Sequence, residues 1–304
     1  MNGQFGFGAD PFDAGWVGHA PSHHGRWVRW DDRIVLFLGD DPPSVAQELS
    51  DGAAVRPVSG QLGVPTPTKG RVANTFEVPF RWIAKVSIRE NGKGRPDGGT
   101  GLLISDRHVL TAAHVVYDVI RNPARYALSV TIALDGNNDL GTHVPSRKPD
   151  ISKKYNPGSV DYDYAIITLS RPIADERPPG LRGDKLCFWG SSQCGAGTTG
   201  IPVDPGNLVR QTAYTAGYPK NKGATQMWGF SGMLASVPAQ SPIMVYTAET
   251  TEGQSGSPVW IQQDGTYNLV GIAVARGNVN RVVRLTWDVV EQLNDWMLAA
   301  ENRP

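Results

Sequence analysis

The chain has 304 residues, 40% of them apolar, enough for one large or two small packed domains. Its 29 basic and 29 acidic side chains cancel, so no charge excess points to nucleic acid or an anionic membrane. No run of 18 apolar residues is present to form a helical membrane span, and 35 glycines with 23 prolines favour many short strands joined by turns.

In chain order, residues 1–21 are rich in Gly, Asp and His and lack both a basic start and an apolar stretch, so they do not read as a secretory signal. His23 and His24 form a pair in a polar turn, where solvation is the expected state rather than metal binding. Residues 27–38 read as a hairpin-like pair of short strands, and 39–70, rich in Asp, Pro, Gly and Thr, as a linker. Period-two alternation marks strands at Trp82, Ala84, Val86 and Ile88, and again from Tyr126 to Leu134. Between them, strand-like Gly101–Ser105 leads through a turn at Asp106-Arg107 to a short helical turn carrying His114. Further strands are expected at 164–169, 211–217, 243–248, 258–263, 268–275 and 281–285. The one long helix is expected from Asp288 to Ala300, capped by Thr286, with Val289, Leu293, Trp296 and Met297 as its apolar stripe. Cys187 and Cys194 sit in a Gly/Ser-rich loop with no further metal ligands nearby. They read as a small-loop disulfide in an oxidising compartment and as two thiols otherwise.

Three segments carry the chemistry. Ser255 lies between Gly253 and Gly256, whose freedom permits a tight turn that aims the Gly253 and Ser255 N–H groups at one point. A serine hydroxyl becomes a useful nucleophile only when a base takes its proton and donors receive the oxyanion. His114, preceded by Thr111-Ala112-Ala113, has small neighbours that leave its ring free to swing outward. Asp163 directly precedes the apolar run Tyr164–Leu169, at the mouth of a strand where its carboxylate can accept from an imidazole Nδ1. Taken singly, these are a turn, a core histidine and a strand-entry carboxylate. Their order, His then Asp then Ser, is the chymotrypsin-type order and excludes the α/β-hydrolase and subtilisin arrangements.

At these residues the chain resembles the trypsin-like serine peptidases. Thr-Ala-Ala-His at 111–114 is similar to their histidine motif, and Asp163-Tyr-Ala-Ile-Ile-Thr-Leu to their aspartate strand. Gly253-Gln-Ser-Gly-Ser-Pro is similar to the Gly-Asn-Ser-Gly-Ser form of the bacterial glutamyl endopeptidase branch. Val72-Ala-Asn-Thr followed by Pro79-Phe-Arg-Trp, and Ala216-Gly-Tyr-Pro followed by Lys220, resemble the same branch, over roughly residues 72–298. The resemblance implies an all-β fold of two six-stranded antiparallel barrels with a C-terminal helix. It implies a peptidase domain over 62–304, preceded by a pro-region or accessory segment at 1–61 with processing near Leu62–Val64. A monomeric, extracellular enzyme acting on protein or peptide substrates without metal or cofactor is the expectation.

The same resemblance assigns His114 as general base, Asp163 (with Asp161 as second candidate) as its orienting partner, and Ser255 as the residue acylated. The N–H groups of Gly253 and Ser255 form the oxyanion site. Two positions depart from the pattern. Gln254 replaces the aspartate that pairs with a new amino terminus in the animal enzymes, so activation by that ion pair is excluded. Ala273 occupies the place of the histidine that receives a substrate carboxylate in the glutamyl branch. Thr250 still offers a hydroxyl to the pocket, and Arg276 is either a substitute acid receptor or a solvated loop residue. Glu249 leaves a basic-residue preference as the other option. The competing function is a catalytically silent or latent module that binds a peptide or protein partner.

Overall fold

The computed structural model describes residues 25–30, 33–38, 69–92, 97–191, 201–202, 208–238, 241–263, 266–275 and 280–301. The described chain starts with a hairpin, β1 (Gly25–Trp30) and β2 (Arg33–Leu38), followed by the short strand β3 (Lys69–Arg71). Then come β4 (Ile83–Glu90), β5 (Asp97–Leu103), β6 (His108–Thr111), helix α1 (Ala113–Arg121), β7 (Tyr126–Ile132), β8 (Thr142–His143), β9 (Asp150–Ile151) and β10 (Ala165–Thr168). After β11 (Ile201–Pro202), which pairs with β2, come β12 (Thr212–Gly217), β13 (Trp228–Ser236), β14 (Ile243–Tyr246), β15 (Pro258–Gln263), β16 (Thr266–Ala275) and β17 (Asn280–Arg284). Helix α2 (Trp287–Glu301) ends the described chain. No helix among the described residues is long and apolar enough to cross a membrane.

Strands β4 to β10 form one seven-stranded sheet in the order β8-β7-β4-β5-β6-β10-β9. It curls until the residues after β8 meet those after β10, through the Pro145–Leu169 bridge and the Ser146 N–H bond to Thr168 O at 2.9 Å. The second sheet runs β12-β15-β16-β17-β14-β13-β3, and direct pairing of β12 with β13 closes six of its strands into a barrel. The fold is the two-barrel chymotrypsin type, with one barrel fully closed and the other closed only at one end. Closure removes exposed strand edges, a recurrent hazard of antiparallel sheets.

One hydrophobic cluster fills the first sheet and runs across the seam into the second barrel; a smaller one fills the second barrel alone. At the seam Trp189 packs on both Trp82 (centroids 5.9 Å apart) and Trp260 (5.8 Å), and Phe80 meets Trp260 edge-on at 6.3 Å. Such ring pairs add about 0.5–1.5 kcal/mol each beyond burial, and the two made by Trp260 of β15 tie the second barrel to residues just before β4 and after β10. Helix α2 leaves the second barrel and packs on the first. Val289, Leu293 and Met297 are buried, Trp296 stacks on Tyr164 at 5.7 Å, and the Tyr164 hydroxyl donates to Gln292 Oε1.

Lys85 on β4 is only 5% exposed, and burial, partly offset by Asp97, lowers its pKa to about 8. An ordinary lysine keeps its proton to 10.5. Above pH 8 the folded chain has released this proton while the unfolded chain still holds it, so stability rises with pH up to 10.5. Lys85→Met is expected to remove that rise, on the order of 3 kcal/mol at most. Denaturant midpoints across this window check it; an equal slope in both proteins would dismiss Lys85 as the source.

Candidate active site

Helix α1 begins where β6 ends, and its first residues have no cap from their own segment: Ala112 is extended and offers no side-chain acceptor. The acceptor comes from the neighbouring strand. Register between β6 and β10 sets Thr111 opposite Ala165, which brings the residues just before β10 over the start of α1. There Asp163 Oδ1 accepts the His114 N–H at 2.9 Å, acting as a helix cap supplied from another segment. Its second oxygen, Oδ2, lies 2.6 Å from His114 Nδ1. Asp163 is 2% exposed and the His114 side chain 38% exposed, so the carboxylate sits in the protein and the outer edge of the ring faces the cleft. Tyr155, edge-on to Tyr117 at 5.8 Å, lies close enough for the Asp163 charge to add to burial in pushing its hydroxyl up to about 12. Asp161 is exposed and donates its N–H to Ser159 Oγ; it does not reach His114.

Ser255 lies on the loop between β14 and β15, in the second barrel. Gly253 and Gly256 flank it at φ +89° and +84°, in the left-handed region where a side chain is strained. A Cβ on Gly253 would stand 2.3 Å from Tyr218 O, and one on Gly256 would stand 2.2 Å from Thr100 O. Both positions therefore need glycine on two counts, conformation and space. Among the described residues neither the Gly253 nor the Ser255 N–H donates to a protein acceptor.

His114 and Ser255 are common to two cavities. One, of about 200 Å³, is also lined by Thr250, Gln254 and Ala273. The other, of about 520 Å³, is lined also by Asp97, Val115, Tyr126 and Lys220. The structure thus brings His114, Asp163, Ser255, Gly253, Thr250 and Ala273 to one cleft. The profile of the Trypsin family matches residues 69–297. The chain belongs to the trypsin family.

Within that family it is similar to glutamyl endopeptidase of Bacillus licheniformis, at 29% identity over 87% of this chain and 79% of the relative. It is also 25% identical to a Bacillus subtilis protein named extracellular metalloprotease, over 77% of this chain and 69% of the relative. Among the described residues no group of three or more His, Cys, Asp and Glu is placed to hold a metal. A solved glutamyl endopeptidase structure in complex with MPD overlays with a TM-score of 0.55 at 22% identity, covering 77% of this chain and 98% of that one, a likeness of fold.

Arg276 lies outside the described residues. Glu249 does not line either cavity; its carboxylate pairs with Lys69 Nζ at 2.5 Å, both side chains more than half exposed. The Thr250 hydroxyl donates to Asn280 Oδ1 at 2.7 Å, and Asn280 Nδ2 donates in turn to Ala248 O. Asn280, on β17, was not among the residues the sequence singled out: a lone strand asparagine carries no motif. Gln254 is turned inward, accepting the Thr251 N–H at 2.7 Å on Oε1, and so ties the loop to itself. Cys187 is disulfide-bonded, and Cys194, the other cysteine of the chain, lies outside the described residues.

Proposed function

We propose that the chain is a serine endopeptidase using His114, Asp163 and Ser255, with the Gly253 and Ser255 N–H groups as the oxyanion site. The observation that carries this reading is the His114–Asp163 pair, closed at 2.6 Å on the wall of a cleft that Ser255 shares. Asp163 holds the proton on Nδ1, leaving Nε2 as the acceptor that faces the cleft. A peptide lying across both cavities presents its carbonyl carbon to Ser255 Oγ. As the new C–O bond forms, His114 takes the hydroxyl proton and the carbonyl oxygen moves toward the two free N–H groups. His114 then gives that proton to the departing amine, the acyl-enzyme remains on Ser255, and water repeats the sequence to release the acid.

The acyl-side residue falls in the smaller cavity beside Thr250 and Ala273. Acidic specificity is supported by the likeness to the Bacillus licheniformis glutamyl endopeptidase, with Arg276 as receptor in place of the missing histidine. The peptidase domain is assigned to 62–304, and 1–61 to a pro-region or accessory segment.

Fluorophosphonate labelling of the full chain tests the reaction class: one label per chain is expected, and none on either intact or trimmed protein would favour the silent binding module. Cleavage profiling on a peptide library tests the specificity. Glutamate or aspartate before the scissile bond is expected to be enriched, and Arg276→Ala to lower that preference roughly tenfold, as loss of a paired charge does. Indifference to acidic residues would end the acidic assignment while leaving the reaction class intact.

A further inference from the structure

The loop bearing Ser255 presents four consecutive carbonyls, and each accepts a hydrogen bond. Glu252 O accepts from Lys220 N–H at 2.7 Å, Gln254 O from Ser257 N–H at 2.9 Å, and Ser255 O from Thr100 N–H at 2.8 Å. Gly253 O accepts from the Thr100 hydroxyl at 2.8 Å. Three of these donors are backbone; Gly253 O alone depends on a side chain. That carbonyl belongs to a glycine at φ +89°, the residue with least intrinsic resistance to turning its peptide plane.

Thr100 sits on β5 of the first barrel and is 0% exposed. Its hydroxyl oxygen also accepts the Tyr218 N–H at 3.1 Å, so its one proton is committed to Gly253 O. Its own carbonyl accepts the Thr111 hydroxyl at 2.7 Å, three residues before His114. One residue therefore ties the nucleophile loop to the strand that leads to the base.

We propose that Thr100 is a positioning residue for the oxyanion site: its hydroxyl, together with the Gln254 N–H bond to Thr251 O at 3.2 Å, fixes the Gly253–Gln254 peptide, which lies between the two peptides that carry the Gly253 and Ser255 N–H groups and so helps set their aim. This rests on the proposed serine mechanism, but no part of Thr100 touches substrate in it.

The test is steady-state cleavage by the full chain and its Thr100→Val and Thr100→Ser variants, with melting curves beside it. Thr100→Val keeps the shape and loses the hydroxyl. It is expected to lower kcat roughly ten- to hundredfold with KM within about threefold, less than the full loss of an oxyanion donor, while Thr100→Ser stays within about threefold of wild type. If the valine variant does not fold, Thr100→Ala is read by the same criteria. Wild-type kcat in Thr100→Val overturns the proposal. So does a serine variant as impaired as the valine one, since that assigns the effect to packing of the methyl group. Ser255→Ala separates the two readings: if turnover survives it, the serine mechanism falls and the Thr100 role with it. Turnover that needs Ser255 and ignores Thr100 removes only the latter.

Discussion

Ser255→Ala is expected to lower kcat by about 10⁶-fold with little change in KM, the loss seen when the nucleophile of such a site is deleted. Two neighbouring polar side chains in the cleft are already engaged. Thr250 has its hydroxyl proton committed to Asn280, and Gln254 faces inward onto Thr251. A residual rate of about 10³–10⁴ over water is expected to persist, because the Gly253 and Ser255 N–H groups still receive the carbonyl oxygen. The fold has no reason to respond: Ser255 is half-buried, and its described bonds use the backbone. Single-turnover hydrolysis of a peptide anilide measures the loss, and an unchanged melting temperature excludes unfolding. An alanine variant within tenfold of wild type would mean that another group attacks.

Asp163→Asn is expected to cost about 10⁴-fold in kcat, and the geometry here says why. The carboxylate accepts two bonds from one residue, the His114 backbone N–H on Oδ1 and the ring Nδ1 on Oδ2. An amide has one acceptor and one donor end. The backbone N–H cannot change role, so the amide oxygen turns to it and the NH₂ group faces Nδ1. The ring then carries its proton on Nε2, where it cannot take one from Ser255. Turning the amide the other way sets two donors against each other at a residue that is 2% exposed. Nitrogen chemical shifts of His114 read the tautomer directly. A variant with the Nδ1–H form retained and kcat still reduced 10⁴-fold would move the aspartate's role from orientation to charge.

Much of this site was legible because its residues carry local signatures. His114, Asp163 and Ser255 each sit in a short string whose neighbours announce a turn or strand entry, and their order in the chain did the rest. Thr100, Asn280 and Lys220 escaped as participants because their meaning is wholly spatial: Thr100 is read only when β5 is seen against residues 253–255. The fold shows the same divide. The alternating runs became β4 and β7, and the apolar stripe became α2, one residue longer at each end than expected. Strand β13 was missed because Gly229 and Gly232 break its apolar alternation, and at Gly232 a Cβ would stand 2.1 Å from Ala248 N. The glycine is there for close strand approach, which reads in sequence as a turn. Helix α1 reads as only a turn because the acceptor that starts it, Asp163, is 49 residues away.

The division of labour between the barrels has one more consequence. His114 and Asp163 belong to one body and Ser255 to the other, so no single barrel contains the whole of the proposed site. A relative slide of about 1 Å, too small to disturb either core, is worth on the order of 100-fold in rate. The packing of Trp82, Trp189 and Phe80 with Trp260 of the second barrel is one of the contacts that set this alignment. Activity is therefore expected to gauge the alignment of the two barrels more sensitively than any measure of folding.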